Sequence, residues 1–144
     1  MRRQRKSLLW LLLYSLLMLW LLFGQRLENR EEVGKINLVP FATVRLYWRV
    51  LQRQSSPKLV LHSVVNLVGN VALFVPLGWL LPEIGRPFRG VFRTVFFAVS
   101  LICLVEILQY LTGLGSCDID DLILNTVGVL TGYCFWKQKK KNSP

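Results

Sequence analysis

Acidic residues are scarce in this chain: eight Asp and Glu stand against eighteen Lys and Arg in 144 residues, with one histidine and three cysteines. A lone His62 cannot supply the paired helical histidines of a zinc hydrolase, and neither HExxH nor GxSxG occurs. Cys103, Cys117 and Cys134 have neither metal-site nor disulfide spacing, so no cofactor, metal centre or disulfide framework is expected. The resulting formal charge of +10 would point to nucleic acid in a water-soluble protein. Here, however, the cations gather at the ends of apolar blocks, and no nucleic-acid partner is expected.

Those blocks decide the class. The chain is 53% hydrophobic with a mean hydropathy of +0.42, and its apolar residues come in long runs rather than in amphipathic patterns. Runs over residues 7–23, 59–81, 91–111 and 119–136 match the roughly 17 to 25 residues that cross a ~30 Å hydrocarbon core, the last being long enough only if it starts at Ile119 rather than Leu122. The expected fold is all-α: a single polytopic membrane domain over residues 1–144 with about four transmembrane helices. MRRQRKS and the first run resemble a secretory signal, but FGQRLENR offers no small-residue cleavage pattern, so the run is read as a signal anchor.

Eleven of the eighteen cations fall in three clusters: Arg2 to Lys6, Arg86 to Arg93, and Lys137 to Lys141. Four spans put all three clusters on one side, which the positive-inside rule makes cytoplasmic, with both termini. The outer loop over residues 24–58 carries the other seven, and its length weakens the count. Within it, Val44, Tyr47, Trp48 and Leu51 lie opposite Arg45, Arg49 and Arg53. This pattern predicts an interfacial amphipathic helix, with Trp48 at headgroup depth and Arg45 and Arg49 reaching lipid phosphates.

Four of the eight carboxylates fall in costly places. Glu106 sits midway through an apolar run, where an unpartnered carboxyl costs about 2.5 to 3.5 kcal/mol. Asp118, Asp121, Asn125, Gly128 and Gly132 follow at spacings of three and four, one stripe of a helix. His62, Asn66 and Asn70 form a similar stripe in the second span, and Ser100, Cys103, Glu106, Gln109 and Tyr110 one in the third. Glu106, Asp118, Asp121 and His62 are therefore the catalytic candidates, and Asn66, Asn70, Gln109, Asn125 and Asp120 the binding candidates. The reading pairs Glu106 with His62, Asn66 and Asn70, and has Asp118 or Asp120 cap the fourth helix. Hydrogen bonding among the amides, fixing helix register alone, is the plainer alternative. Gly128 and Gly132 form a GxxxG pair that admits a close helix, inside the chain or in a second copy as a homo-oligomer.

Four segments in order carry a family resemblance: NLVPF at 37–41, NLVGNVALFVPLGWLLP at 66–82, SLICLVEILQ at 100–109 and DIDDLILNTVGVLTGY at 118–133. They resemble the VanZ-like family of bacterial membrane proteins, over nearly the whole chain. The resemblance implies a multi-pass protein of the bacterial cytoplasmic membrane that lowers susceptibility to teicoplanin-type lipoglycopeptides. Membrane lipid, the lipoglycopeptide itself or a lipid-linked cell-wall precursor are the partners it brings into view. One departure stands out: many members carry an arginine shortly before the aspartates, in a pattern like RSFDIDD, where this chain has Gly115, Ser116 and Cys117. A cationic partner for the aspartates would have to come from the outer loop. Two other readings stay open: a membrane-embedded enzyme acting on a lipid-linked or cell-wall substrate, and a small proton-coupled carrier.

Overall fold

The computed structural model describes residues 2–24, 36–53, 55–114 and 116–142. Part of the predicted outer loop, with Arg26, Arg30 and Lys35, lies outside these residues. Five helices carry the described chain: α1 (Arg2–Leu19), α2 (Ala42–Gln52), α3 (Pro57–Ile84), α4 (Val91–Leu111) and α5 (Ile119–Lys141). A π-helical turn, Trp20–Gly24, extends α1, and a 3-10 turn, Arg86–Arg89, joins α3 to α4. Two short parallel strands, β1 (Ile36–Asn37) and β2 (Cys117–Asp118), bring the segment before α2 beside the segment before α5. The protein is all-α and membrane-like, as expected.

α3 and α4 are long and apolar enough to cross a membrane, with mean hydropathies of 1.9 and 2.2, yet only 22% and 17% of their apolar windows are buried. The core helix of a water-soluble protein would be mostly covered. Here Phe92, Phe96 and Leu111 are 88%, 77% and 71% exposed, and α1 turns out an almost unbroken face of leucine and tryptophan. Lipid covers such surface without the cost that water would impose.

Internal contacts fix the directions of the helices. Gln4 Nε2 donates to the Ile84 carbonyl at 3.0 Å and Tyr14 to that of Leu73 at 2.8 Å, so α1 runs antiparallel to α3. Tyr133 donates to the Arg89 carbonyl at 2.7 Å, which sets α5 antiparallel to α4. α3 and α5 run parallel and share the most extensive helix contact in the chain. The three basic clusters therefore gather at one end of the bundle, and α2 with the aspartates at the other.

The α3–α5 seam is built on three glycines. A Cβ at Gly132 would lie 2.0 Å from the Val75 carbonyl oxygen, at Gly128 2.2 Å from that of Val71, and at Gly78 2.0 Å from that of Val129. Backbone meets backbone here, which only a missing side chain allows. The GxxxG pair spends its close-approach face on α3 of the same chain. Around the seam, Phe74, Leu77, Leu81, Ala98, Ile102 and Val129 form the buried core, with Met18 from α1.

Gly132→Ala should lower stability in detergent by about 1 to 3 kcal/mol, since neither backbone can yield cheaply. Gly69→Ala is the matched control: nothing lies within 4 Å of its Cβ position, so its unfolding temperature should hold or rise. Thermal unfolding of the two purified variants distinguishes them.

Candidate functional site

α2 begins without a cap of its own. Its N-cap residue is Phe41, which has no side-chain acceptor to offer and adopts a left-handed backbone with φ 63°. A bulky side chain pays roughly 1 to 3 kcal/mol for that conformation unless its surroundings enforce it. What enforces it is Asp120, fully buried at the start of α5.

Asp120 Oδ1 accepts from the Phe41 amide at 2.5 Å, and Oδ2 accepts from the Thr43 and Val44 amides at 2.8 and 3.0 Å. The Ala42 amide turns back to the Val39 carbonyl at 3.2 Å. The free N–H groups that open a helix are thus satisfied, most of them by one carboxylate nearly eighty residues away. Its negative charge also faces the positive end of the α2 dipole.

Asp118, two residues earlier, does local work. Its Oδ1 accepts from the Asp120 amide at 2.9 Å, the N-cap bond of α5. The Thr43 hydroxyl donates to Asp118 Oδ2 at 2.6 Å, and Asn37 Nδ2 lies 3.2 and 3.3 Å from the two carboxylate oxygens. Asn37 Oδ1 in turn accepts from the Val39 amide at 3.2 Å, shaping the turn before Pro40. Asp121 points the other way, its Oδ1 accepting from Asn70 Nδ2 of α3 at 2.5 Å. Three aspartates in four residues therefore tie together β1, α2, α3 and α5.

The predicted residues divide accordingly. Asp118, Asp120, Asp121 and Asn70 meet in this node. Of the two aspartates considered as caps for α5, Asp118 takes that role and Asp120 caps α2. Asn70, one of the three groups expected to partner Glu106, donates to Asp121. His62 lies apart, its ring edge-on to Tyr47 at 5.9 Å and 3.2 Å from Asn66 Nδ2, which also donates to the His62 carbonyl. Glu106 and Gln109 are buried on α4, 7% and 2% exposed, and Asn125 is buried on the stripe between Asp121 and Gly128.

On α2, Val44, Tyr47 and Leu51 are half-buried while Trp48 is 58% exposed, so Trp48 faces outward. Arg45 curls back, Nε donating to the Phe41 carbonyl at 2.9 Å and Nη2 to that of Pro40 at 3.0 Å. Arg49 Nε lies 3.4 Å from the Arg45 carbonyl. The 24–58 segment does supply partners of Asp118 and Asp120, but among the described residues they are amides, a hydroxyl and a carboxamide rather than cations. Asn37, Thr43 and the Phe41 backbone are site elements that sequence reasoning passed over. The available signal was α2 itself, a helix with no Ser, Thr, Asp or Asn before it.

Cys117, on β2 beside this node, has its thiol pushed up by burial first, then by Glu106, Cys103 and Asp118. Burial and nearby negative charge both disfavour the thiolate, so maleimide should label Cys117 slowly near neutral pH and faster as pH rises. Removing the Glu106 charge lowers the thiol's pKa, and Glu106→Gln should therefore speed labelling at fixed pH. An unchanged rate would mean that Glu106 carries no charge there.

Hydrogen bonds to a charged acceptor contribute about 1.5 to 3 kcal/mol each. Asp120→Ala leaves three amides without theirs, and hydrogen exchange at Phe41, Thr43 and Val44 should accelerate while the α3–α5 seam stays protected. Asp120→Asn should fall between, because one carbonyl oxygen still accepts while the NH2 group confronts other donors.

The sequence profile of the VanZ/LLP1 family matches residues 10–140, which include every residue of the node. "Protein VanZ" of Enterococcus faecium is 27% identical over 127 residues, covering 85% of this chain and 68% of that protein. No solved structure matches the chain. With the profile spanning nearly its whole length, the chain belongs to the VanZ/LLP1 family.

Proposed function

We propose that this VanZ-like protein lies in the bacterial cytoplasmic membrane as a multi-pass protein with both termini cytoplasmic, and lowers the effect of teicoplanin-type lipoglycopeptides at the outer face. The orientation follows from charge: Arg5, Lys6, Arg86, Arg89 and the Lys137–Lys141 tail share one end of the bundle. The other end carries α2, whose exposed Phe41, Leu46 and Trp48 suit the headgroup region where a lipidated antibiotic or a lipid-linked wall precursor meets the membrane.

One observation carries the reading: Asp120 fastens the N-terminus of α2 to α5 through three backbone amides. An amphipathic helix that only floated on lipid would need no such attachment. A fixed one presents a shaped surface at a set depth, and ordering it in advance lowers the entropic cost of binding.

The same bonds favour this platform over catalysis by the aspartates. Asp118 and Asp120 have both carboxylate oxygens engaged by donors of their own chain, which leaves neither poised as base or nucleophile.

Expression of wild type and Asp120→Ala at matched membrane levels in a susceptible host tests the proposal. Wild type should raise the teicoplanin concentration needed for inhibition more than that of vancomycin, which lacks the lipid tail, and Asp120→Ala should return it to the vector level. Full protection by Asp120→Ala would refute a role for the anchored helix.

A further inference from the structure

A groove of about 440 Å³ runs between α1 and α3 at the basic half of the bundle, far from the aspartate node. Trp10, Leu13 and Leu17 wall one side and Val75, Pro76 and Trp79 the other. Its shape follows from α3. Pro76 has no amide to give the Ala72 carbonyl, and Tyr14 turns its hydroxyl inward to the adjacent Leu73 carbonyl at 2.8 Å. With that hydroxyl turned onto α3, the surface lining the groove is apolar.

The basic end of the groove carries Lys6 and Lys139 with one acid nearby, Glu83, whose Oε1 accepts from Trp136 Nε1 at 3.2 Å. Lys139 Nζ sits 4.9 Å from the centre of the Trp79 ring, held over an aromatic that also lines the groove. Lys6, exposed on α1, stands one turn before Trp10. Gln4 pins that end of α1 to Ile84, which puts Lys6 at the same end of the bundle as Lys139. An apolar slot that ends beneath two cations matches an amphiphile with an apolar chain and an anionic head.

We infer that this groove is a binding site for an anionic phospholipid, its acyl chain between α1 and α3 and its phosphate at Lys6 and Lys139. Charge complementarity commits the site to that occupant over a zwitterionic lipid, whose ammonium would meet the same lysines. It also separates this site from the outer platform, because the two lie at opposite ends of the bundle.

Trp10 and Trp79 report on the groove directly. The full chain in nanodiscs receives equal small mole fractions of phosphatidylglycerol or phosphatidylcholine with brominated acyl chains, in an unbrominated phosphatidylcholine background. The fluorescence difference between wild type and Trp10→Phe/Trp79→Phe isolates the two groove tryptophans. Brominated phosphatidylglycerol should quench this signal with about fivefold higher apparent affinity than the choline lipid for each lysine engaged, the equivalent of about 1 kcal/mol per cation near an anionic headgroup. Lys6→Gln/Lys139→Gln, both outside the packed core, should bring the two lipids level. Equal quenching in wild type, or a preference that survives in the double lysine variant, overturns the assignment. Leu80→Phe, which narrows the groove and leaves the lysines in place, should weaken quenching by both lipids, and unchanged quenching would place the lipid elsewhere.

Discussion

The end of the bundle that carries α2 depends on a carboxylate buried among backbone amides. Asp120 has no exposed surface, and its oxygens are held by the opening amides of a helix that lies far off in sequence. Burying a charge is tolerable only when hydrogen bonds and an opposing field replace water, and an uncapped helix N-terminus supplies both. The dependence is mutual. Without α2 the carboxylate would be a stranded charge, and without the carboxylate α2 would open on unsatisfied amides and a strained Phe41. Asn37 and Thr43 then bind Asp118, so the chain on each side of the left-handed residue is held as well.

The height of that node is set by the glycine seam. Gly78, Gly128 and Gly132 let α3 and α5 approach to backbone contact, and such contact accepts only one register. A shift along the helix axis would put a side chain of either helix into the opposing carbonyls. Within that register Asn70 falls opposite Asp121, and Asp118 and Asp120 emerge at the point where the chain before α2 returns to the bundle. Small residues in mid-helix and acids at its end are one device, since the first positions the second.

Much of this was legible in the sequence. Long apolar runs announced the helices, the GxxxG spacing announced a close seam, and an aspartate before an apolar run announced the cap of α5. The rest was hidden for physical reasons. Two-residue strands such as β1 and β2 have no periodicity to detect. The donors that bind Asp120 are backbone amides, which every sequence offers everywhere and none advertises. Glu106 was matched to His62, Asn66 and Asn70 because all are polar and lie in apolar runs, but polarity alone does not say which of two acids an amide will meet. In the fold Asn70 donates to Asp121. The missing cap of α2 was the readable clue: Phe41 stands where Ser, Thr, Asp or Asn belongs, so an acceptor had to come from elsewhere.

Satisfying the acids internally also changes the electrostatic character of the DIDD segment. Read linearly, DIDD is an acidic patch awaiting a cation. In the fold Asp118 and Asp120 are buried and turned toward their own chain, and Asp121 is engaged by Asn70. Among the described residues, Arg45, Arg49, Arg53 and Lys58 are exposed there beside Phe41, Leu46 and Trp48. Arg45 spends part of its guanidinium on the Pro40 and Phe41 carbonyls, so the side chain fixed to the turn still leaves a positive charge at the surface. A surface of anchored cations and aromatics attracts phosphate-bearing headgroups and repels free cations. The acids that first look like the binding groups thus serve by holding the basic helix in place.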